Sequence, residues 1–309
     1  MDIFLSLITK IAPLYLIVVL GFVAGKYFKV DKEPIATLLI YFITPLVIFN
    51  GVATSSLNLS IVLLPLTFFV LAVLISAIFY SMGKLLWKGT EKNVLAFTSG
   101  TGNTGYFGLP VILALFGEEY LSVAVLCIFG FLLYENSLGY YYVARGTFSS
   151  QAALKKVLGL PTLYAFMLGL LFLAGGGSIG AELSALFTNF RGAYSVLGMM
   201  IIGLGLAGVT ARSWDVRFLS MTLSAKFIVW PIVVVVVVLL DMMFFHLFTS
   251  TMYPIMLLLS TVPLASNTVA FAAQLNAVPE KAATAVLTST LIALVYIPLF
   301  VTVVLPFLL

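Results

Sequence analysis

The sequence predicts an all-α polytopic membrane protein: ten transmembrane helices in two inverted five-helix repeats, with the fourth and ninth helices broken. Three observations predict it. First, 62% of the 309 residues are hydrophobic, 8% are charged and the mean hydropathy is +1.21, against roughly 25% charged residues in a soluble domain. Eleven acids and fifteen bases cannot cover a water-facing surface, which excludes a soluble enzyme, a nucleic-acid binder and a disordered chain. Second, the apolar runs are helix-length, as in Ile61–Leu86, not the ~10-residue alternating segments of a membrane barrel. Third, two of those runs are interrupted by proline and polar residues at matching places.

Spans bounded by charges, glycine and proline run at about 4–27, 34–54, 61–86, 93–117, 120–143, 158–175, 190–210, 218–240, 251–275 and 281–307. Each is long enough for ~30 Å of hydrocarbon. The stretch before Pro13 lacks a basic leader and is interrupted by Lys10, so the first span is read as retained. The longest soluble segment is expected around Arg145–Lys156. The bases alternate by loop. Lys26, Lys29 and Lys32 follow span one, Lys84, Lys88 and Lys92 span three, Arg145, Lys155 and Lys156 span five, Arg212 and Arg217 span seven, and Lys281 span nine. The intervening loops, such as Ser55–Ser60 and Glu118–Glu119, lack bases, with Arg191 the exception. The positive-inside rule then places odd loops in the cytoplasm and both termini outside, in a bacterial inner membrane.

An offset of 153 residues carries span 4–27 onto the sixth span, 34–54 onto the seventh, 61–86 onto the eighth, and Pro110 onto Pro263. Five helices per unit is an odd number, so the second unit inverts, as in secondary transporters. The fourth span contains Gly100, Gly102, Gly105, Gly108, Asn103 and Pro110. Proline removes a donor and clashes with the preceding turn, and freed backbone groups in hydrocarbon cost several kcal/mol each. Such a stretch persists only inside protein or beside a wet cavity. The ninth span repeats the theme with Ser260, Thr261, Pro263, Ser266, Asn267 and Thr268. Each proline suits the first turn of a second half-helix. Two half-helix N-termini at the midplane favour an anion, and opposed breaks meeting there would make one central site. The substrate-binding candidates are Asn103, Thr104, Gly105, Pro110, Pro263, Ser266 and Asn267.

Two charges lie within spans. Glu135 in the fifth and Lys226 in the eighth are each about nine residues, hence about 14 Å, from a helix end. A charge at helix centre costs ~2.5–3.5 kcal/mol on insertion scales, so each calls for a partner or a wet cavity. Equal depth permits an ion pair; the alternatives are proton exchange or contact with a substrate carboxylate. The single Cys127 reads as a core residue, and one cysteine with one histidine, His246, makes no metal site.

The segment Gly102–Pro110 followed by Phe116-Gly117 resembles the fourth-helix motif of the auxin efflux carrier family, which includes plant auxin exporters and bacterial malonate and malate permeases. Gly21-Phe-Val-Ala-Gly25, Thr44-Pro45-Leu46, Gly198–Gly203, Lys226 with Pro231, and Val262-Pro263 with Asn267 agree with other helices of that family. Gly198 stands where the offset would put a match for Pro45. The resemblance implies a fold related to the sodium–bile acid symporters. It implies scaffold helices over 1–58 and 146–212, a transport core over 59–145 and 213–309, and helices four and nine crossing at their prolines. It also implies contact of Asn103 and Asn267 with an organic anion, and elevator-like movement of the core. The function expected is therefore a secondary carrier, an exporter of a small mono- or dicarboxylate. The alternatives are a sodium-coupled symporter of a larger organic anion, or a channel or sensor of the same fold. No HExxH, mid-span aspartate pair or histidine beside a serine nucleophile supports an enzyme. No cofactor is expected beyond H⁺ or Na⁺ as coupling ion. The expected partners are the anion, the lipid bilayer and, through the scaffold, a second copy of the chain.

Overall fold

The chain, as a computed structural model, is described over residues 2–54, 59–208 and 214–308. Arg212 and most of the 55–60 loop lie outside the described residues, as do the side chains of Lys10, Pro110 and Glu118. Among the described residues the structure is all helical. Helix α1 covers Asp2–Tyr27, α2 Lys32–Ala53 and α3 Leu59–Leu86. Helix α4 (Glu91–Ser99) ends in a gap over 100–103, after which one wide turn, Thr104–Gly108, leads into α5 (Leu109–Phe116). Helix α6 is Val123–Thr147. Helices α7 (Ser150–Leu158) and α8 (Pro161–Ala174) join at a 44° bend. Helix α9 is Ala181–Ala207 and α10 is Val216–Phe245. A second gap over 262–266 separates α11 (Tyr253–Thr261) from α12 (Asn267–Gln274), and α13 is Pro279–Val304.

Helices α2, α3, α6, α9, α10 and α13 are long and apolar enough to cross a membrane, and α7–α8 is a seventh if the bent pair counts as one span. The chain is thus a polytopic helical membrane protein by length and composition. The gaps remove two of the apolar runs from that count, since α4, α5, α11 and α12 are each too short alone. The segment expected as the longest soluble one, around Arg145–Lys156, is mostly helical: it holds most of α7, whose start is capped by Ser149 Oγ accepting from Ala152 N at 3.3 Å.

Six turns among the described residues widen to π-helical geometry: 39–43, 104–108, 135–139, 225–229, 241–245 and 300–304. Four of them end two residues before a proline, namely Pro45, Pro110, Pro231 and Pro306. A proline cannot donate to the carbonyl four residues back and its ring crowds that carbonyl; the wider turn carries the chain around the defect. At Pro231 the carbonyl in question, Phe227 O, accepts the Tyr296 hydroxyl at 2.7 Å.

Small residues set the closest helix contacts. A Cβ on Gly21 would lie 2.2 Å from Met200 O, and one on Gly203 would lie 2.0 Å from Val18 O. Helices α1 and α9 therefore touch backbone to backbone, the packing that gains most where lipid supplies no hydrophobic drive. Cys127 is fully buried in the core.

Candidate functional site

The two gaps meet. Asn103 N donates to Pro263 O at 2.7 Å. In the first gap Asn103 has φ −74 and ψ 60, and Thr104 N bonds Gly102 O at 2.7 Å, an inverse γ-turn. The Asn103 carbonyl then accepts from Phe107 N and Gly108 N at 3.3 and 2.9 Å. In the second gap Leu264 N donates to Ser289 Oγ of α13 at 3.0 Å.

The hydrogen bond that joins the two gaps runs between Asn103 and Pro263. Shifting the 100–103 gap by 153 places it on 253–256, which is helical in α11. Pro110 lies inside α5, beyond the wide turn, while Pro263 lies in the gap itself, before α12 begins at Asn267. Pro110 thus stands in the first turn of α5, as expected, although the wide turn at Thr104 precedes it; Pro263 does not, since the second half-helix resumes only at Asn267.

A small cavity is lined by Asn103, Thr104, Gly105, Tyr106, Glu135, Tyr194, Ser266 and Asn267, among others. Glu135, 3% exposed, begins the widened turn of α6, which no proline explains. Asn136 Nδ2 and Ser137 Oγ bond back to Leu132 O and Leu133 O there at 2.9 and 2.5 Å. One Glu135 oxygen accepts the Thr101 hydroxyl; the other accepts Asn267 Nδ2 at 2.6 Å. Tyr106 OH donates to Asn267 Oδ1 at 3.4 Å, and its ring lies 4.0 Å from that of Tyr194. Gly198 makes room for this pair: a Cβ there would fall 2.4 Å from the Tyr106 ring. Asn103 Nδ2 faces Met199 Sδ at 3.8 Å.

Lys226 is fully buried in the widened turn of α10. Its Nζ sits over the rings of Trp230 and Phe131, 5.1 and 5.6 Å from their centroids, which is cation–π geometry. A Cβ on Gly102 would lie 2.4 Å from that Nζ. Trp230 is held in turn by its Nε1–H donating to Ser99 O at 2.7 Å. Glu135 and Lys226 are not in ion-pair contact among the described residues: the carboxylate is taken by Thr101 and Asn267, and Nζ has no hydrogen-bond partner.

Five buried side-chain polar atoms lack a hydrogen-bond partner among the described residues, and four of them lie at or beside the gaps: Asn103 Oδ1, Lys226 Nζ, Ser266 Oγ and Thr268 Oγ1. Each such group costs about 1–3 kcal/mol. Four of the five thus stand together around the gaps. Among the described residues no cluster of three or more His, Cys, Asp or Glu could hold a metal.

Of the residues named from sequence, the structure brings Asn103, Thr104, Gly105, Glu135, Ser266 and Asn267 to one cavity, puts the Pro263 carbonyl on Asn103, and leaves Lys226 on the far side of Gly102. The Pro110 side chain lies outside the described residues. Thr101, Tyr106 and Tyr194 were not anticipated. Thr101 and Tyr106 stand in the glycine-rich segment, but Tyr194 carries no local signal.

Residues 6–159 match the profile of a family described as membrane transport protein. Over 205 residues the chain is 31% identical to an uncharacterized transporter of Methanocaldococcus jannaschii, an alignment covering 62% of this chain and 67% of that relative.

Proposed function

Because the chain belongs to the membrane transport protein family, the auxin efflux carrier-like family, we propose that it is a secondary carrier, working in efflux, for a small organic anion such as a mono- or dicarboxylate. The observation that carries the reading is the meeting of two helix gaps at Asn103 and Pro263, with the amides of Asn103 and Asn267 beside them. Helix starts and amide donors placed at mid-membrane suit a carboxylate. The unpartnered Ser266 and Thr268 hydroxyls offer further contacts.

In this reading α1, the two broken pairs and the seven longer units make ten spans in two inverted units, with both termini outside a bacterial inner membrane. Residues 1–58 and 146–212 form the scaffold, which also holds a second copy of the chain. Residues 59–145 and 213–309 form the core that carries the anion in an elevator-like movement. The Lys226 ammonium, beside Gly102 of the first gap, stands in for a coupling cation in this reading, and Glu135 is the group through which a proton would couple.

The test is uptake and binding by purified protein in liposomes and detergent. A thermal-shift screen of mono- and dicarboxylates should find a stabilising ligand, since binding to the folded state raises stability by mass action. Asn103→Ala and Asn267→Ala should each abolish transport while leaving folded protein in the membrane. Wild-type transport by both variants overturns the site.

A further inference from the structure

We propose that Glu135 is an internal ligand of the anion site: its carboxylate holds the Asn267 amide until the transported acid displaces it. This rests on the anion-carrier reading above. The geometry is that of a carboxylate already bound. Asn267 has one amide NH2 and one carbonyl oxygen. Tyr106 OH donates to the oxygen, and the NH2 donates to Glu135 Oε2 at 2.6 Å. Thr101, from the other gap, holds the second carboxylate oxygen. Glu135 thus bridges both gaps with the two contacts that a substrate carboxylate would want.

An entering acid cannot share this amide without placing two like charges side by side in one small cavity, which is strongly unfavourable. Among the described residues, the groups that face Glu135 are Thr101 at the first gap, Tyr106 of the wide turn, Tyr134 of its own helix, Tyr194 of α9, Asn267 of α12 and Lys226 of α10. Lys226 is the only cation among them, and it is not in contact with the carboxylate. Binding of the anion therefore requires Glu135 to let go of Asn267. The empty carrier, in contrast, keeps its gaps bridged and its buried amide satisfied. Glu135 is a positioning and specificity residue in this scheme. It sets a threshold that only an acid able to replace it at Asn267 passes.

The test is equilibrium binding of lactate, malonate, malate and indole-3-acetate to purified full-length wild type, Glu135→Gln and Thr101→Val, with thermal shift and isothermal titration as readouts. A glutamine keeps the shape but loses the charge, so at least one acid should bind Glu135→Gln tenfold or more tightly than wild type. Thr101→Val frees one carboxylate oxygen and should give a smaller gain in the same direction, and it serves if Glu135→Gln does not fold. If an acid binds wild type and both folded variants bind it equally or more weakly, the inference is wrong and the carrier reading stands. If none of these acids binds any of the three proteins, the anion reading itself falls.

Discussion

The two gaps present a backbone N–H and a carbonyl to each other at one point, yet they are built from different chemistry. The first is opened by glycine. Gly100 and Gly102 leave room for the Tyr134 ring and for Lys226 Nζ, each 2.4 Å from where a Cβ would stand. The second contains no glycine. It runs Val262 to Ser266 through a proline, and a side chain from α13, Ser289 Oγ, takes up its Leu264 N–H. One gap is thus shaped by what neighbours press into it, the other by what a neighbour lends it. The same mid-membrane geometry is reachable by emptying space or by supplying a hydrogen bond, and the two solutions should fail differently.

Gly100→Ala is expected to do the most harm. The methyl group meets a fully buried aromatic ring whose hydroxyl bonds Ala96 O at 2.9 Å, and overpacking of this kind costs about 1–3 kcal/mol. Tm in detergent should fall by several degrees and uptake should be lost; an unchanged Tm would mean that the first gap is not space-limited. Ser289→Ala is the matching change at the second gap. It leaves a buried N–H unpaired, for about 1 kcal/mol or somewhat more. It should lower Tm less than Gly100→Ala does, and Ser289→Thr, which keeps the hydroxyl, should restore most of the loss. Equal damage from Gly100→Ala and Ser289→Ala would erase the distinction between the gaps.

The smallest effect is expected far from both gaps. Asp215 caps α10, accepting from Phe218 N at 3.0 Å, and joins Lys281 at 3.0 Å and Trp87 Nε1 at 3.3 Å; Lys281 also meets Glu91, at the start of α4, at 2.9 Å. Burial pushes the Asp215 carboxyl up, but the Phe218 N–H, Lys281 and Trp87 outweigh it and hold it below the ordinary carboxylate value. A carboxyl held low contributes stability above its unfolded-state value and loses it as pH falls through the folded-state one. Wild-type Tm should therefore drop in acid more steeply than that of Asp215→Asn, with a difference near neutral pH of about 1 kcal/mol, the usual worth of a helix cap. Parallel curves would show that this cluster does not tie the start of α4 to α10.

Much of this was legible in the chain. The glycine-rich run marked the first gap because no lipid-facing helix tolerates it, and Asn103, Glu135 and Asn267 stood out as polar groups in apolar runs. The prolines were a weaker guide. Their effect on a helix is local, and in α2, α5 and α10 it is absorbed by a widened turn, so a proline marks strain without marking where the chain breaks. Tyr194 was invisible, since a tyrosine in an apolar helix looks the same whether it faces lipid, a neighbour or a cavity.

By itself the sequence determined that the chain lives in a bilayer, roughly where its helices run, and that two of them must be interrupted; each follows from the cost of exposing polar backbone to hydrocarbon, a property of the local chain. Only the tertiary structure decided that Glu135 would hold Asn267, 132 residues away, that Lys226 would rest on two aromatic faces, and that Asn103 would touch Pro263. Those pairings depend on how whole helices pack, and no spacing along the chain encodes them.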